Sequence, residues 1–214
     1  MGRQHFITEP YYDGQAIRAD ETHPVIKEVV TGFRQRLDYM NRKHAQTFVV
    51  NCVARFPQGS QAETPNQSVS NTLRKFKAKA KRNGMTVQAG WTREQDTSTN
   101  PHYHIGIICD GTKTQNGYKA CSWLNDIWSK EIAAPSESQM VSLCKPNPQK
   151  SPVEQTSSYS PAPTGIKIIR GSSEEKKQLE NALNWLSYNA KTNQKGNAPS
   201  RQREYNFTRL SGSS

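Results

Sequence analysis

Two histidines one residue apart, His102 and His104, run directly into the apolar segment Ile105-Gly106-Ile107-Ile108. On a strand, side chains two apart share a face, so both imidazoles point the same way and lie close enough to share one metal ion. The plainer alternative is a pair of ordinary polar residues on a strand, and the surrounding residues bear on the choice. Residues 85–94 and 102–109 read as two strands joined by seven turn-prone residues, 95–101, and an antiparallel hairpin is the simplest join. A register that sets Glu94 opposite His102 also sets Thr92 opposite His104 and Gly90 opposite Gly106, all six on one face. A carboxylate then stands beside two imidazoles, and the two glycines leave space for something bulky to approach. Two nitrogens and one oxygen suit Mn²⁺ or another divalent ion and leave coordination positions for a substrate oxygen. Trp91, Arg93, Tyr103, Ile105 and Ile107 fall on the opposite face, for helices to cover. Structural zinc is the competing metal site, but Cys109 has the parity of Tyr103 and Ile107 and points away from the histidines, and Cys121 lies on the next helix. A zinc site of three histidines would need His5, His23 or His44, and no spacing recommends them.

A second candidate lies far downstream. In a helix over residues 174–191, Leu179, Leu183, Leu186 and Ala190 form an apolar stripe, within about 60° of arc at about 100° per residue. Tyr188 lies opposite that stripe, and Lys191, three residues on, shares its side. A tyrosine off the stripe is either a surface residue at a domain rim or a nucleophile. In the second case Lys191 eases loss of the phenol proton or neutralises phosphate charge.

The charge balance favours a polyanionic partner. Lys and Arg number 29 against 18 Asp and Glu, a net +11, which suits nucleic acid without separating DNA from RNA or from an anionic membrane surface. A helix over residues 68–82 turns Val69, Leu73, Phe76 and Ala80 inward and carries Arg74, Lys75, Lys77, Lys79, Lys81 and Arg82 outside, before Asn83-Gly84 ends it. That outer face is either simply solvated or tracks phosphates. No apolar run approaches the roughly 18 residues that span a bilayer, so the sequence offers no support for a membrane role. Residues 1–20 are polar and lack a secretory pattern, and the four cysteines are widely spaced, so reduced thiols in a cytosol are expected.

The remaining elements must position these groups. Residues 1–20 read as an arm and 21–44 as an amphipathic helix with Pro24 in its first turn. Residues 47–56 alternate as a strand, 119–132 read as a helix, 139–144 and 166–170 as strands, 172–191 as a helix and 192–214 as a polar basic tail. Residues 145–165 hold five of the twelve prolines and read as a flexible loop within one domain.

The combination resembles the HUH endonucleases, the superfamily of rolling-circle replication initiators, plasmid relaxases and single-strand transposases. More narrowly, Gly90-Trp91-Thr92-Arg93-Glu94-Gln95, then Asn100-Pro101-His102-Tyr103-His104, then Leu186-Ser187-Tyr188-Asn189-Ala190-Lys191-Thr192 look like the inovirus and prophage replication-endonuclease family, over residues 43–207. The resemblance implies an α+β fold, a central antiparallel sheet with flanking helices of the ferredoxin-like, RRM-like Rep nuclease kind. It divides the chain into an N-terminal arm and helix (1–45), an endonuclease domain (46–192) and a basic C-terminal tail (193–214). It implies a divalent ion, Mg²⁺ or Mn²⁺, on His102, His104 and Glu94, with Tyr188 as covalent nucleophile and Lys191 beside it. With Trp185 in the preceding helical turn, Tyr188 is the single candidate tyrosine.

The expected activity is site-specific nicking of single-stranded or origin-hairpin DNA, leaving a 5′-phosphotyrosine and a free 3′-OH for rolling-circle replication of a phage, satellite or plasmid. The setting would be the cytoplasm of a bacterial host, with host helicase or polymerase as further partners. Arg74, Lys75, Lys77, Lys79, Lys81, Arg82 and Arg93, with tail residues Lys195, Arg201, Arg203 and Arg209, would hold the DNA backbone. A transposase or mobilisation relaxase with the same chemistry, a non-catalytic DNA-binding protein that keeps the fold, and a phosphoesterase using activated water are the alternatives.

Overall fold

The structure, a computed structural model, describes residues 4–62, 65–95, 99–135, 137–146, 164–192, 195 and 202–210. Its centre is an antiparallel sheet built from β5 (Gln46–Ala54), β6 (Val87–Glu94), β7 (His102–Asp110), β8 (Val141–Cys144), β9 (Ile166–Ile169) and β10 (Tyr205–Phe207). The order across the sheet is β10-β6-β7-β5, and the outer edge of β5 is shared by two short strands. Gln46 to Val49 pair with β9, and Asn51 to Ala54 with β8.

Strand alternation sorts the sheet's side chains onto two faces, and each face is covered by a helix pair. Phe48, Val50, Cys52, Ala89, Trp91, Tyr103, Ile105 and Ile107 pack against α2 (Pro65–Arg82) and α3 (Gly117–Glu131). Val49, Ile108, Ile166 and Ile168 pack against α1 (Lys27–Lys43) and α4 (Glu175–Ser187). The α2 and α3 face is aromatic at its centre, where the Tyr103 ring lies 5.3 Å from Trp91 and 6.0 Å from Trp128 in edge-to-face contacts. The architecture is thus α+β, a central antiparallel sheet flanked by helices.

The N-terminal region is more ordered than an arm. β1 (Phe6–Ile7) pairs with β4 (Val25–Ile26), and β2 (Tyr11–Tyr12) pairs with β3 (Gln15–Ala16) through Asp13-Gly14. Both turn residues have positive φ, 50° and 76°, as a two-residue hairpin turn requires. Because Val25 and Ile26 are spent on that ladder, α1 begins at Lys27 and Pro24 stands outside it. The tail also contributes structure: β10 adds to β6 with Phe207 opposite Gly90. The Pro-rich segment lies almost wholly outside the described residues, as do parts of the basic tail, Arg201 among them.

The faces of Gly90 and Gly106 are filled by the protein itself rather than left open. A Cβ on Gly106 would stand 2.4 Å from Phe33 and 2.7 Å from Leu186, and one on Gly90 2.3 Å from Phe207. The glycines therefore let α1, α4 and β10 close on the sheet just behind the histidines.

Candidate metal centre and adjoining tyrosine

The hairpin of β6 and β7 has Glu94 opposite His102, Thr92 opposite His104 and Gly90 opposite Gly106, the register expected from the sequence. It brings three ligand-bearing side chains together at one end of the sheet. Glu94 Oε2 lies 2.9 Å from His104 Nε2 and 3.2 Å from His102 Nε2, with the two rings 5.3 Å apart. One donor atom from each residue falls within 4.8 Å of the others, and this is the group of its kind among the described residues. Glu94 and His104 are buried and His102 is half-buried. Burial works against the Glu94 carboxylate, yet hydrogen bonds from His102 and His104 and the charges of His104 and Lys195 outweigh it and hold its pKa well below the usual carboxylate range. A carboxylate kept ionised beside two imidazole nitrogens is a donor set able to hold a divalent metal ion.

The other histidines stay apart from this group. His5 pairs with Glu28 at 2.7 Å, His23 with Asp20 at 3.0 Å and His44 with Asp110 at 3.3 Å. Cys109 and Cys121 lie in the core beneath α2 and α3, on the far side of the sheet from the imidazoles.

Tyr188 stands beside His104. Helix α4 ends at Ser187 and tightens into a single 3₁₀ turn, Tyr188–Ala190, so the tyrosine sits at a helix terminus rather than within the longer helix expected. Its ring centroid is 5.7 Å from that of His104, and it is 41% exposed, so it meets both the site and solvent. The turn is fixed from below by two buried asparagines. Asn51 on β5 donates to the Trp185 carbonyl (3.2 Å) and accepts from Asn189 (3.0 Å). The register of β5 against β7 thereby sets where the tyrosine falls. Lys191 follows in a one-residue bridge to Val25, and its ammonium lies 5.2 Å from the Tyr188 ring centroid.

Two further residues reach the site that the sequence did not single out for it. Arg18, in the segment after β3, donates from its backbone N–H to Ser187 Oγ (2.8 Å) and from Nε to Asn184 (3.2 Å), and its guanidinium lies 5.8 Å from the Tyr188 ring centroid. Burial lowers its pKa while Tyr188 raises it. Lys195, expected among the backbone-holding tail residues, instead places its ammonium 2.5 Å from Glu94 Oε1. No local sequence pattern marks Arg18, Lys195, Asn51 or Asn189, because each reaches the site only through tertiary contacts.

Apart from Lys195, the described cations expected to bind DNA on α2, and Arg93, do not gather at this site. Helix α2 covers the opposite face of the sheet from Glu94, His102 and His104. Along it Lys75 pairs with Glu131, Lys79 lies 3.6 Å from Asp126 and 5.0 Å from the Trp123 ring centroid, and Lys77 donates to the Arg209 carbonyl (3.1 Å). Arg74, Lys81 and Arg82 lie on the same helix. Arg93 is buried beside Tyr103 on that face and donates to Gln95. Among the described residues, no helix is long and apolar enough to cross a membrane.

Fold and site define an α+β protein whose sheet end carries a Glu-His-His group with a half-exposed tyrosine beside it. No protein-family model, curated protein or solved structure matches the chain.

Proposed function

We propose that this chain is a metal-dependent single-strand DNA endonuclease and strand transferase that initiates rolling-circle replication of a phage, satellite or plasmid in a bacterial cell. The observation that carries the reading is the half-exposed Tyr188 ring 5.7 Å from His104 at the edge of the Glu94, His102 and His104 group. The sequence resemblance to the HUH endonucleases and the net charge of +11 support it.

Glu94, His102 and His104 would hold Mg²⁺ or Mn²⁺, which when bound supplies Lewis-acid polarisation of a scissile phosphate. Tyr188 Oη attacks the phosphorus in line, the bond from phosphorus to the 3′ oxygen breaks, and the phenol proton is lost as the 3′ oxygen gains one. The products are a 5′-phosphotyrosine and a free 3′-OH, which primes synthesis. Because the phosphodiester is exchanged rather than hydrolysed, reversal by a 3′-OH rejoins a strand without ATP. Lys191 and Arg18 flank the tyrosine and stabilise the charge that grows on the phosphoryl oxygens. The α2 cations, on the other face, hold DNA that leads away from the site, hairpin or single strand.

The test is direct. Protein mixed with Mn²⁺ and labelled single-stranded DNA from the region flanking its own gene gives an SDS-resistant shift with wild type and none with Tyr188→Phe, which retains DNA binding. Cleavage that persists in Tyr188→Phe assigns the chemistry to activated water and refutes the tyrosine mechanism.

A further inference from the structure

The C-terminal segment delivers one side chain into the site that the nicking chemistry does not call for. Lys195 is anchored by its own N–H, which donates to the Thr192 carbonyl (2.9 Å). Its side chain is 2% exposed, with the ammonium 2.5 Å from Glu94 Oε1. Glu94 is thereby divided between two sets of partners: Oε2 faces the two imidazoles at 2.9 and 3.2 Å, and Oε1 faces the lysine. A lysine ammonium is rarely buried to this degree unless a partner offsets its lost hydration, and here the partner is the carboxylate of the Glu-His-His group.

We propose that Lys195 is a positioning residue that tunes the metal group, occupying Oε1 so that Glu94 offers a metal one oxygen only, and setting a like charge behind that ligand so that the ion stays exchangeable. The inference rests on Glu94, His102 and His104 being metal ligands and is independent of whether Tyr188 nicks DNA. The sign of the effect separates this role from a merely structural one. A carboxylate behind a ligating imidazole strengthens the ligand, and losing such a partner weakens metal binding by about 10- to 100-fold. A cation behind a ligating carboxylate does the reverse, because it withdraws charge from the donor oxygen and repels the ion across a site partly shielded from water.

Isothermal titration of Mn²⁺ into the full chain tests this with wild type, Lys195→Met and Lys195→Arg. Lys195→Met is expected to bind Mn²⁺ at least about tenfold more tightly, and Lys195→Arg, which keeps the charge, to stay within about threefold of wild type. Unchanged or weaker binding by Lys195→Met overturns the proposal. Should Lys195→Met fail to fold, Lys195→Gln, which drops the charge and keeps an N–H donor on a side chain one atom shorter, is read by the same rule. A wild-type chain that binds no Mn²⁺ removes the metal group and this inference with it. Equal affinity in wild type and Lys195→Met removes the role of Lys195 alone and leaves the nicking reading standing.

Discussion

Gly106→Ala places a methyl group where the sheet lies closest to both covering helices, and its cost follows from three distances. An added Cβ would lie 2.4 Å from Phe33 Cε1, 2.8 Å from Phe33 Cζ and 2.7 Å from Leu186 Cδ2. Carbon atoms pack at about 3.5–4.0 Å, so each neighbour must retreat by roughly 1 Å. Phe33 and Leu186 are fully buried, so neither can retreat without moving α1 or α4. Overpacking of this kind costs about 1–3 kcal/mol. At about 2–4 °C per kcal/mol for a chain of this size, the melting temperature should fall by about 2–12 °C. Gly90→Ala meets Phe207 at an equally short 2.3 Å and Phe33 at 3.2 Å, but Phe207 is only half-buried and lies on a three-residue edge strand, which can shift at less cost than a packed helix, so its cost should be smaller. Leu186 precedes Tyr188 by two residues, so Gly106→Ala should also cut nicking at temperatures where the variant is folded, while Mn²⁺ affinity, set on β6 and β7, changes little. Urea unfolding at matched m-values, Mn²⁺ titration and nicking rates report the three effects. A Gly106→Ala chain as stable as Gly90→Ala, or one that loses Mn²⁺ binding while nicking survives, would refute this reasoning.

Asn51→Ala removes the buried acceptor of the Asn189 amide and one of the donors to the Trp185 carbonyl; unfolding by urea should show a loss of about 1–3 kcal/mol, with adduct formation reduced further as the Tyr188 turn loosens. Glu175 accepts from the Gly171 N–H and the Asn41 amide, and these bonds outweigh burial and lower its pKa from the usual 4.5. Its contribution is therefore fully present above that pH and lost as pH falls through the folded value, so the stability advantage of wild type over Glu175→Gln should shrink in melts taken below about pH 4.5. Replacing Arg74, Lys81 and Arg82 together with glutamine should weaken single-strand binding and flatten its salt dependence by about 0.7 per lost phosphate contact, with the rate of adduct formation by bound DNA unchanged; an unaltered salt slope would take α2 off the DNA path.

The parts of this molecule legible in the sequence are those written in local periodicity. Strict alternation through Phe48, Val50, Cys52 and Ala54 and through Trp91, Arg93, Tyr103 and Ile105 specifies strands and their faces, and pairing Glu94 with His102 then predicts the whole register of the hairpin. What escaped depends on distant partners. Val25 and Ile26 have helix-compatible spacing but are captured by Phe6 and Ile7, and Tyr205 to Phe207 look like tail until β6 supplies an edge. The Asp13-Gly14 turn was readable in principle, since that dipeptide is a hairpin signal; flanks of only two residues a side hid it. Gly90 and Gly106 lie on the expected face and do admit bulky groups, but those groups are the protein's own Phe33, Leu186 and Phe207, which the local pattern does not reveal. Lys195 shows the same limit at the site itself: a lysine in a basic tail reads as a phosphate contact, and only the fold turns it toward Glu94.

In the proposed function, Tyr188 becomes covalently joined to DNA beside the Glu94, His102 and His104 group. Protease digestion of the SDS-resistant complex followed by mass spectrometry locates the modified residue. The expected product is a 5′-nucleotidyl phosphate on the peptide carrying Tyr188, formed only with a divalent metal and absent from His104→Ala. An adduct on another tyrosine, or cleaved DNA with no adduct at all, would contradict it.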